Sequence, residues 1–273
     1  MRVIGWIVLI LLGLSLFGGL LYVVILIRPR KRGNAPASLL CPYAHRGLHG
    51  AQIPENSLSA FSRALACGVG IELDVQLSRD GVVMVFHDET LIRMTGCDQR
   101  LCELEAAELQ ALSLHRTSQT IPTFKEVLSL VDGRVPLLVE LKGESFDTSL
   151  CQKVAELLAQ YKGNYCIESF NPLLLRKMRY YLPDAFYGLL YTNVCREKKR
   201  VTPLNVLLTA MAFNALARPD FIAYDKQDRN SRIVRLVTGL YHPPRFVWTV
   251  CTDEELELAH ALGECPIFEK PSS

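Results

Sequence analysis

The sequence has no acidic residue in its first 32 positions, no Cys-x-x-Cys pair, and no internal repeat or low-complexity tract after residue 40. Each absence removes a class of protein. Without paired cysteine spacing, the nine cysteines signal neither a zinc site nor a redox dithiol, and their odd number leaves at least one unpaired. Several lie in apolar runs, as Cys166 does between Tyr165 and Ile167, so reduced, buried thiols are expected, which fits a reducing compartment. Charge of one sign is scarce as well. Thirty Lys and Arg face 28 Asp and Glu, and five of the basic residues fall in the acid-free first 32. The remaining 241 residues carry 25 basic and 28 acidic residues, a net of −3, so the body is no basic nucleic-acid binder. An apolar content of 49% against 21% charged excludes a disordered or collagen-like chain. A length of 273 residues suits one large domain or two small ones.

What the N-terminal segment does have is a hydrophobic run. Val3 to Ile27 is 25 residues without a charge. As a helix that is about 37 Å, against ~30 Å for the hydrocarbon core of a bilayer. A secretory signal has a shorter apolar region followed directly by a small-residue cleavage site. Here Arg28-Pro29-Arg30-Lys31-Arg32 follows, and Ala35-Pro36-Ala37 lies beyond that cluster. Residues 1–32 are therefore expected to form an uncleaved transmembrane anchor with a basic flank. Trp6 and Tyr22 suit its interfaces, and 33–40 link it to a domain spanning 41–273. Four basic residues follow the run, against Arg2 and the amino terminus before it. The positive-inside rule then gives a single-pass membrane protein with its domain in the cytoplasm.

Beyond residue 40, short apolar runs alternate with helical patterns. Strands are expected at 42–45, 70–75, 82–86, 135–141, 165–168, 186–191, 221–224, 246–250 and 266–268, and helices at 56–67, 123–131, 149–161, 172–181 and 253–262. Thr123 with Glu126 three residues on has the spacing of a capping box. Alternation of this kind gives a parallel sheet. Nine strands are one too many for a closed TIM (β/α)8 barrel. The strands 70–75 and 82–86, however, are joined through Ser78-Arg79-Asp80-Gly81, too short for a parallel crossover. Residues 76–87 are thus read as a hairpin arm above the barrel rim, and 266–268 closes the ring against 42–45. A doubly wound open sheet is the alternative, but no glycine-rich phosphate loop follows the first strand.

In such a barrel the chemistry sits at the C-terminal ends of the strands. The first strand ends Tyr43-Ala44-His45-Arg46-Gly47. In Ile71-Glu72-Leu73-Asp74-Val75 the period of two puts Glu72 and Asp74 on one face, and Glu140 and Lys142 alternate in the same way. The hairpin arm returns as Phe86-His87-Asp88, and Trp248 stands at the end of the strand 246–250. Singly, each residue has a structural reading: a satisfied core histidine, a solvated strand edge, a core tryptophan. Together they put three carboxylates where burial without a partner is very costly. A divalent cation removes that cost, and hard oxygen donors favour Ca²⁺ or Mg²⁺ over zinc. The neighbouring Arg46 and Lys142 suggest an anionic substrate, a phosphate above all, and two histidines suit acid/base work near neutral pH.

These residues resemble the glycerophosphodiester phosphodiesterases. The likeness is carried by His45-Arg46-Gly47, Pro54-Glu55-Asn56-Ser57 with Ala60-Phe61, Glu72-x-Asp74-Val75, Asp80-Gly81, His87-Asp88, and Leu91 with Arg93-x-Thr95-Gly96. It continues through Ile121-Pro122-Thr123-Phe124, Glu140-x-Lys142, Ser169-Phe170 and Val247-Trp248-Thr249-Val250. The resemblance implies a TIM barrel that hydrolyses phosphodiesters at a glycerol phosphate with a divalent metal. It implies that Glu72, Asp74 and Glu140 hold the metal with Glu55 close to that shell, and that His45 and His87 are the acid/base pair. Arg46 and Lys142 would contact the phosphoryl oxygens, with Trp248 lining the substrate pocket. In this family the substrate's own adjacent hydroxyl attacks phosphorus, and water then opens the cyclic phosphate. Two departures stand out. The stretch from His87 to Thr123 is too short for an inserted domain, and the family's glycine–isoleucine–threonine–aspartate ending is replaced by Cys265-Pro266-Ile267-Phe268-Glu269, which puts the last loop's contribution in question.

Two segments stand apart from this pattern. Residues 191–200 form a polar loop ending in a basic cluster, and 201–217 read as a long apolar helix of the barrel wall. The expected partners are a soluble headgroup diester or a lysolipid as substrate, and the bilayer through the anchor. The competing readings are a phospholipase D- or C-like hydrolase of intact lipids and a non-catalytic tethered barrel. The latter predicts loss of a histidine or a carboxylate, and none is lost.

Overall fold

The computed structural model describes residues 2–30, 35–143 and 149–269. Lys31 and Arg32 of the basic flank and the first two linker residues lie outside the described residues, as do the last four of the chain.

Nine strands form, β1 (Tyr43–Ala44), β2 (Gly70–Leu77), β3 (Val83–Val85), β4 (Leu137–Leu141), β5 (Tyr165–Ser169), β6 (Phe186–Tyr191), β7 (Phe221–Asp225), β8 (Arg245–Val250) and β9 (Cys265–Phe268). Eight of them pair in parallel in the order β1-β9-β8-β7-β6-β5-β4-β2, and a further pairing of β1 with β2 closes the ring. This is the TIM barrel expected from the alternation. β3 is the odd strand: it runs antiparallel to β2, with Val75 opposite Val85 and Leu77 opposite Val83. β4 follows β2 only as far as Val75, so Gln76 and Leu77 stand above the ring and pair with the arm alone.

The helices start where the sequence offers a cap. Ser57 accepts the Ala60 N–H ahead of Leu58–Ala66, and Asn171 accepts the Leu173 N–H ahead of Pro172–Tyr181. Thr123 and Glu126 make both bonds of the capping box on Phe124–Val131. That helix buries Phe124, Val127, Leu128 and Val131 against the barrel wall, the expected outcome of an apolar stripe at i, i+3 and i+4.

Inside the ring the period of two sorts side chains into layers. The lower layer is aromatic: Tyr43, Phe186, Phe221 and Phe246 are buried, with ring centroids 5.1 Å apart for Phe186–Phe221 and 4.2 Å for Phe221–Phe246. Gly188 makes room for this packing, since a Cβ there would come within 2.1 Å of the Phe221 ring. Two residues further along the strands, the same inward face carries carboxylates. The site thus stands on an aromatic floor that closes the barrel from below.

Two expectations are corrected, for residues 201–217 and for the cysteines. Residues 201–217 are not one helix but two short ones, Pro203–Thr209 and Asn214–Ala217, separated by a turn in which Met211 takes a φ of +52°. β8 ends at Val250 as expected, with an irregular register against β9 between Val247 and Val250. All nine cysteines are free, but only Cys151 and Cys166 are buried, while Cys67 and Cys102 are exposed.

At the N-terminus a helix runs from Arg2 to Leu21 and continues as a wider turn over Tyr22–Leu26. Among the described residues it is the one helix long and apolar enough to cross a membrane, and none of Trp6–Leu26 is buried.

Candidate active site

The centre of the rim is a set of three carboxylates. Glu72 and Asp74 project inward from β2 and Glu140 from β4, where Asp74 and Glu140 are register partners. All three are buried, and one oxygen from each lies within 4.8 Å of the others. Glu72 Oε2 accepts the backbone N–H of Arg46 at 2.7 Å, and Asp74 Oδ2 accepts from Asn56 Nδ2 at 2.8 Å. Lys142 Nζ sits 3.0 Å from Asp74 Oδ1 and 2.7 Å from Glu140 Oε1. The backbone after β1 is shaped for these contacts. Arg46 has a φ of +54° and Gly47 of +79°. A Cβ on Gly47 would also meet Ala60 and Phe61 at 2.9 Å, so glycine is required there.

The electrostatics are unbalanced. Burial, reinforced by the neighbouring carboxylates, pushes Glu72 well above the usual carboxylate range. Burial also pushes Glu140 up, to about 7, against the pull of Lys142. Asp74 goes the other way: burial alone would raise it, but Lys142 and Arg46 hold it below the usual range. Two cations thus face three buried carboxylates and satisfy mainly one. Oxygen donors so placed fit a hard divalent cation held by Glu72, Asp74 and Glu140.

The walls of the site are histidines. His45 Nδ1 lies 2.6 Å from Glu269 Oε1, and His87 Nδ1 lies 2.6 Å from Asp88 Oδ1. A carboxylate can only accept, so each ring carries its proton on Nδ1, which leaves Nε2 as the basic nitrogen of the neutral ring. Burial lowers the pKa of both histidines, and the carboxylate partners oppose that shift. Arg93 ties the His87 side together: its Nε donates to Asp88 Oδ2 at 2.5 Å and its NH2 to Glu55 Oε1 at 2.6 Å.

The sequence profile of the glycerophosphoryl diester phosphodiesterase family matches residues 45–268. The chain belongs to that family. YhdW of Bacillus subtilis, a chain carrying the same family's name, is 32% identical over 237 residues, which cover 81% of this chain and 90% of its own length. The glycerophosphodiester phosphodiesterase of Caldanaerobacter subterraneus is 34% identical over 159 residues, 54% of this chain and 65% of that one. The chain therefore spans just under two thirds of that relative. Among solved structures, an Oleispira antarctica phosphodiesterase in complex with the product sn-glycerol-3-phosphate superposes with a TM-score of 0.69 at 22% identity, covering 84% of this chain and 92% of its own. At that identity the likeness concerns the fold.

Most residues singled out in this member of the glycerophosphoryl diester phosphodiesterase family meet at one rim. Arg46, Glu72, Asp74, Glu140 and Lys142 form one cluster of contacts, and His45 and His87 stand at the same rim, each held by its own carboxylate. Glu55 stands outside the carboxylate cluster: Arg46 NH1 at 2.8 Å and Arg93 hold it. Trp248 lies on β8 with its ring edge-on to Phe170, centroids 5.7 Å apart. Its indole Nε1 is buried without a hydrogen-bond partner among the described residues. Three contributors were not foreseen. Glu269 orients His45 from the altered ending. Gln76 Nε2 donates to the carbonyls of Phe86, His87 and Asp88 at 2.9, 3.1 and 2.8 Å, which fixes the His87 loop. Glu168, buried on β5 beside Glu140, adds a fourth acid whose pKa burial raises well above the usual range. The inward period of β5 would have shown Glu168, and the position of Gln76 on the arm would have shown its reach. A separate groove of about 870 Å³ opens at the opposite end of the barrel, between Arg235, His242, Arg245 and His260, and holds none of these groups.

Proposed function

We propose that this chain hydrolyses glycerophosphodiesters or lysophospholipids to glycerol phosphate and an alcohol, with a divalent cation and two-histidine acid/base catalysis. The observation that carries the reading is the cluster of three buried carboxylates within 4.8 Å, flanked by two histidines that each have a carboxylate on Nδ1. Glu72, Asp74 and Glu140 would hold the cation, which would supply Lewis-acid stabilisation of negative charge on the phosphoryl oxygens when bound. Arg46 and Lys142 bind the phosphate. One of His45 and His87 accepts the proton of the attacking oxygen and the other protonates the leaving alkoxide, which an in-line displacement requires. Asp88 and Glu269 fix the two rings. Trp248 covers the substrate, offering its N–H to a substrate oxygen.

The family match within 45–268 supports 41–273 as the catalytic domain. The 20-residue exposed helix Arg2–Leu21 supports 1–32 as a single-pass anchor and 33–40 as the linker, and the charge asymmetry supports a cytoplasmic domain. Purified full-length protein, stripped of metal and assayed on soluble diesters and lysolipids, should be inactive and regain turnover with added Mg²⁺, Ca²⁺ or Mn²⁺. Full activity after stripping would sink the metal role, and no turnover on any diester with any of these ions would sink the assignment itself.

A further inference from the structure

The chain between the N-terminal helix and the barrel has a direction. Tyr22 Oη donates to the Ala210 carbonyl at 2.6 Å. Ala210 follows Thr209, whose carbonyl accepts from Tyr191 Oη at 3.1 Å and whose hydroxyl accepts from the Cys195 N–H at 3.3 Å. Tyr191 is the last residue of β6, so Tyr22 is at the level of the catalytic rim. Asn214 Nδ2 donates to the Ile27 carbonyl at 2.7 Å, and the Arg30 N–H donates to the Pro219 carbonyl at 2.8 Å, just before β7 begins. Residues 22–30 therefore descend from the rim toward the floor. The helix Arg2–Leu21 leaves the barrel on the rim side. Its 20 residues measure about 30 Å, the thickness of a hydrocarbon core. The rest of the 25-residue apolar run docks on the barrel, where Ile27 is buried among Met211, Ile222, Val234 and Val237.

The same rim carries an unusual surface. Val201, Leu204, Val206 and Leu207 are 78, 56, 46 and 45% exposed, a denser run of bare apolar side chains than any other on the described barrel surface. Lys198, Lys199 and Arg200 precede them, exposed and without an ion pair among the described residues. Arg196, by contrast, is committed to Asp228 at 2.7 Å. Scattered exposed apolar residues need no explanation, but a cluster flanked by unpaired cations does. Its chemistry is that of an interfacial helix on an anionic leaflet.

We propose that Pro203–Thr209 and the preceding basic loop rest on an anionic lipid surface, so that the catalytic rim faces the bilayer into which the anchor runs. This rests on reading the N-terminal helix as membrane-spanning. The continuity of the patch with that helix, joined through Tyr22 and Ala210, and its unpaired positive charge favour lipid over a protein partner.

The test uses the full-length chain in vesicles of phosphatidylcholine and phosphatidylglycerol. A photoreactive benzoylphenylalanine replaces one residue at a time: Trp6, Leu204, Leu207, or Lys162 at the floor. Lipid adducts are read by mass spectrometry. Adducts at 6 and at 204 or 207, at least about tenfold above those at 162, are expected for a seated patch. Adducts at 6 with 204 and 207 no higher than 162 would overturn the orientation while leaving the anchor standing. Adducts at none of the four positions would overturn the anchor and the orientation with it. Using both 204 and 207 guards against one substitution disturbing the helix.

Discussion

His87 takes its carboxylate partner from the next residue, Asp88, whereas His45 takes Glu269, 224 residues away across the seam where β9 closes the ring on β1. The two bonds have the same length and the same nitrogen. What differs is what holds them. Asp88 belongs to a local web with Arg93, Glu55 and Gln76, which survives as long as the hairpin arm does. Glu269 depends on barrel closure: its N–H is held by the Val250 carbonyl at 2.8 Å, and the His45 N–H by the Phe268 carbonyl at 2.9 Å. One wall of the site is set by a loop, the other by the completion of the fold.

The largest effect tests whether the two walls are equal partners. His45→Ala and His87→Ala should each lower kcat by about 10²–10⁴, the usual contribution of a general acid or base, with circular dichroism unchanged. An unaltered rate in one of them would remove that histidine from the reaction and leave a one-sided mechanism.

Smaller losses should separate the two supports. Asp88→Asn and Glu269→Gln should each cost about 10–10² in kcat with KM little changed, the range seen when a group orienting a functional ring is lost. Asp88→Asn should be the more harmful, because it also frees Arg93 and, through it, Glu55. Glu269→Gln carries a further signature. Burial already lowers the His45 pKa and Glu269 opposes that, so losing the carboxylate lowers it again, and the His45-dependent limb of the pH–rate profile moves to lower pH. A Glu269→Gln enzyme with wild-type rate and profile would reduce that contact to packing.

The same contrast explains what could be read in advance. Glu72, Asp74, Glu140 and Lys142 were legible because strand period two is a local rule, and their shared rim followed from the barrel's parallel order. His87 with Asp88 was legible for the same reason. Glu269 was not: the ending Cys265–Glu269 departs from the family's usual residues, and nothing short of closing the ring shows that its carboxylate meets His45. The break within 201–217 was missed on similar grounds. Apolar content alone reads as one wall helix, but Tyr22 and Asn214 bind the segment to the N-terminal chain, a contact of 187–188 residues' separation that no local pattern carries.

Trp248 offers the smallest and sharpest measurement, because it lies on neither wall. Its ring edge packs on Phe170 and its Nε1–H is buried without a partner among the described residues. An unpaired buried donor is unfavourable in the free enzyme, and a substrate oxygen that accepts from it would relieve the deficit. Trp248→Phe keeps an aromatic face against Phe170 and removes only that donor. The loss of one neutral hydrogen bond, roughly 1 kcal/mol, corresponds to about a fivefold rise in KM with kcat near its original value. Trp248→Ala, which also removes the ring, should raise KM further in a protein that remains folded. An unchanged KM in the phenylalanine variant, together with unfolding of the alanine variant, would make Trp248 a core residue that happens to stand beside the site, and the binding of substrate would then rest on Arg46, Lys142 and the carboxylate centre that separates the two histidine walls.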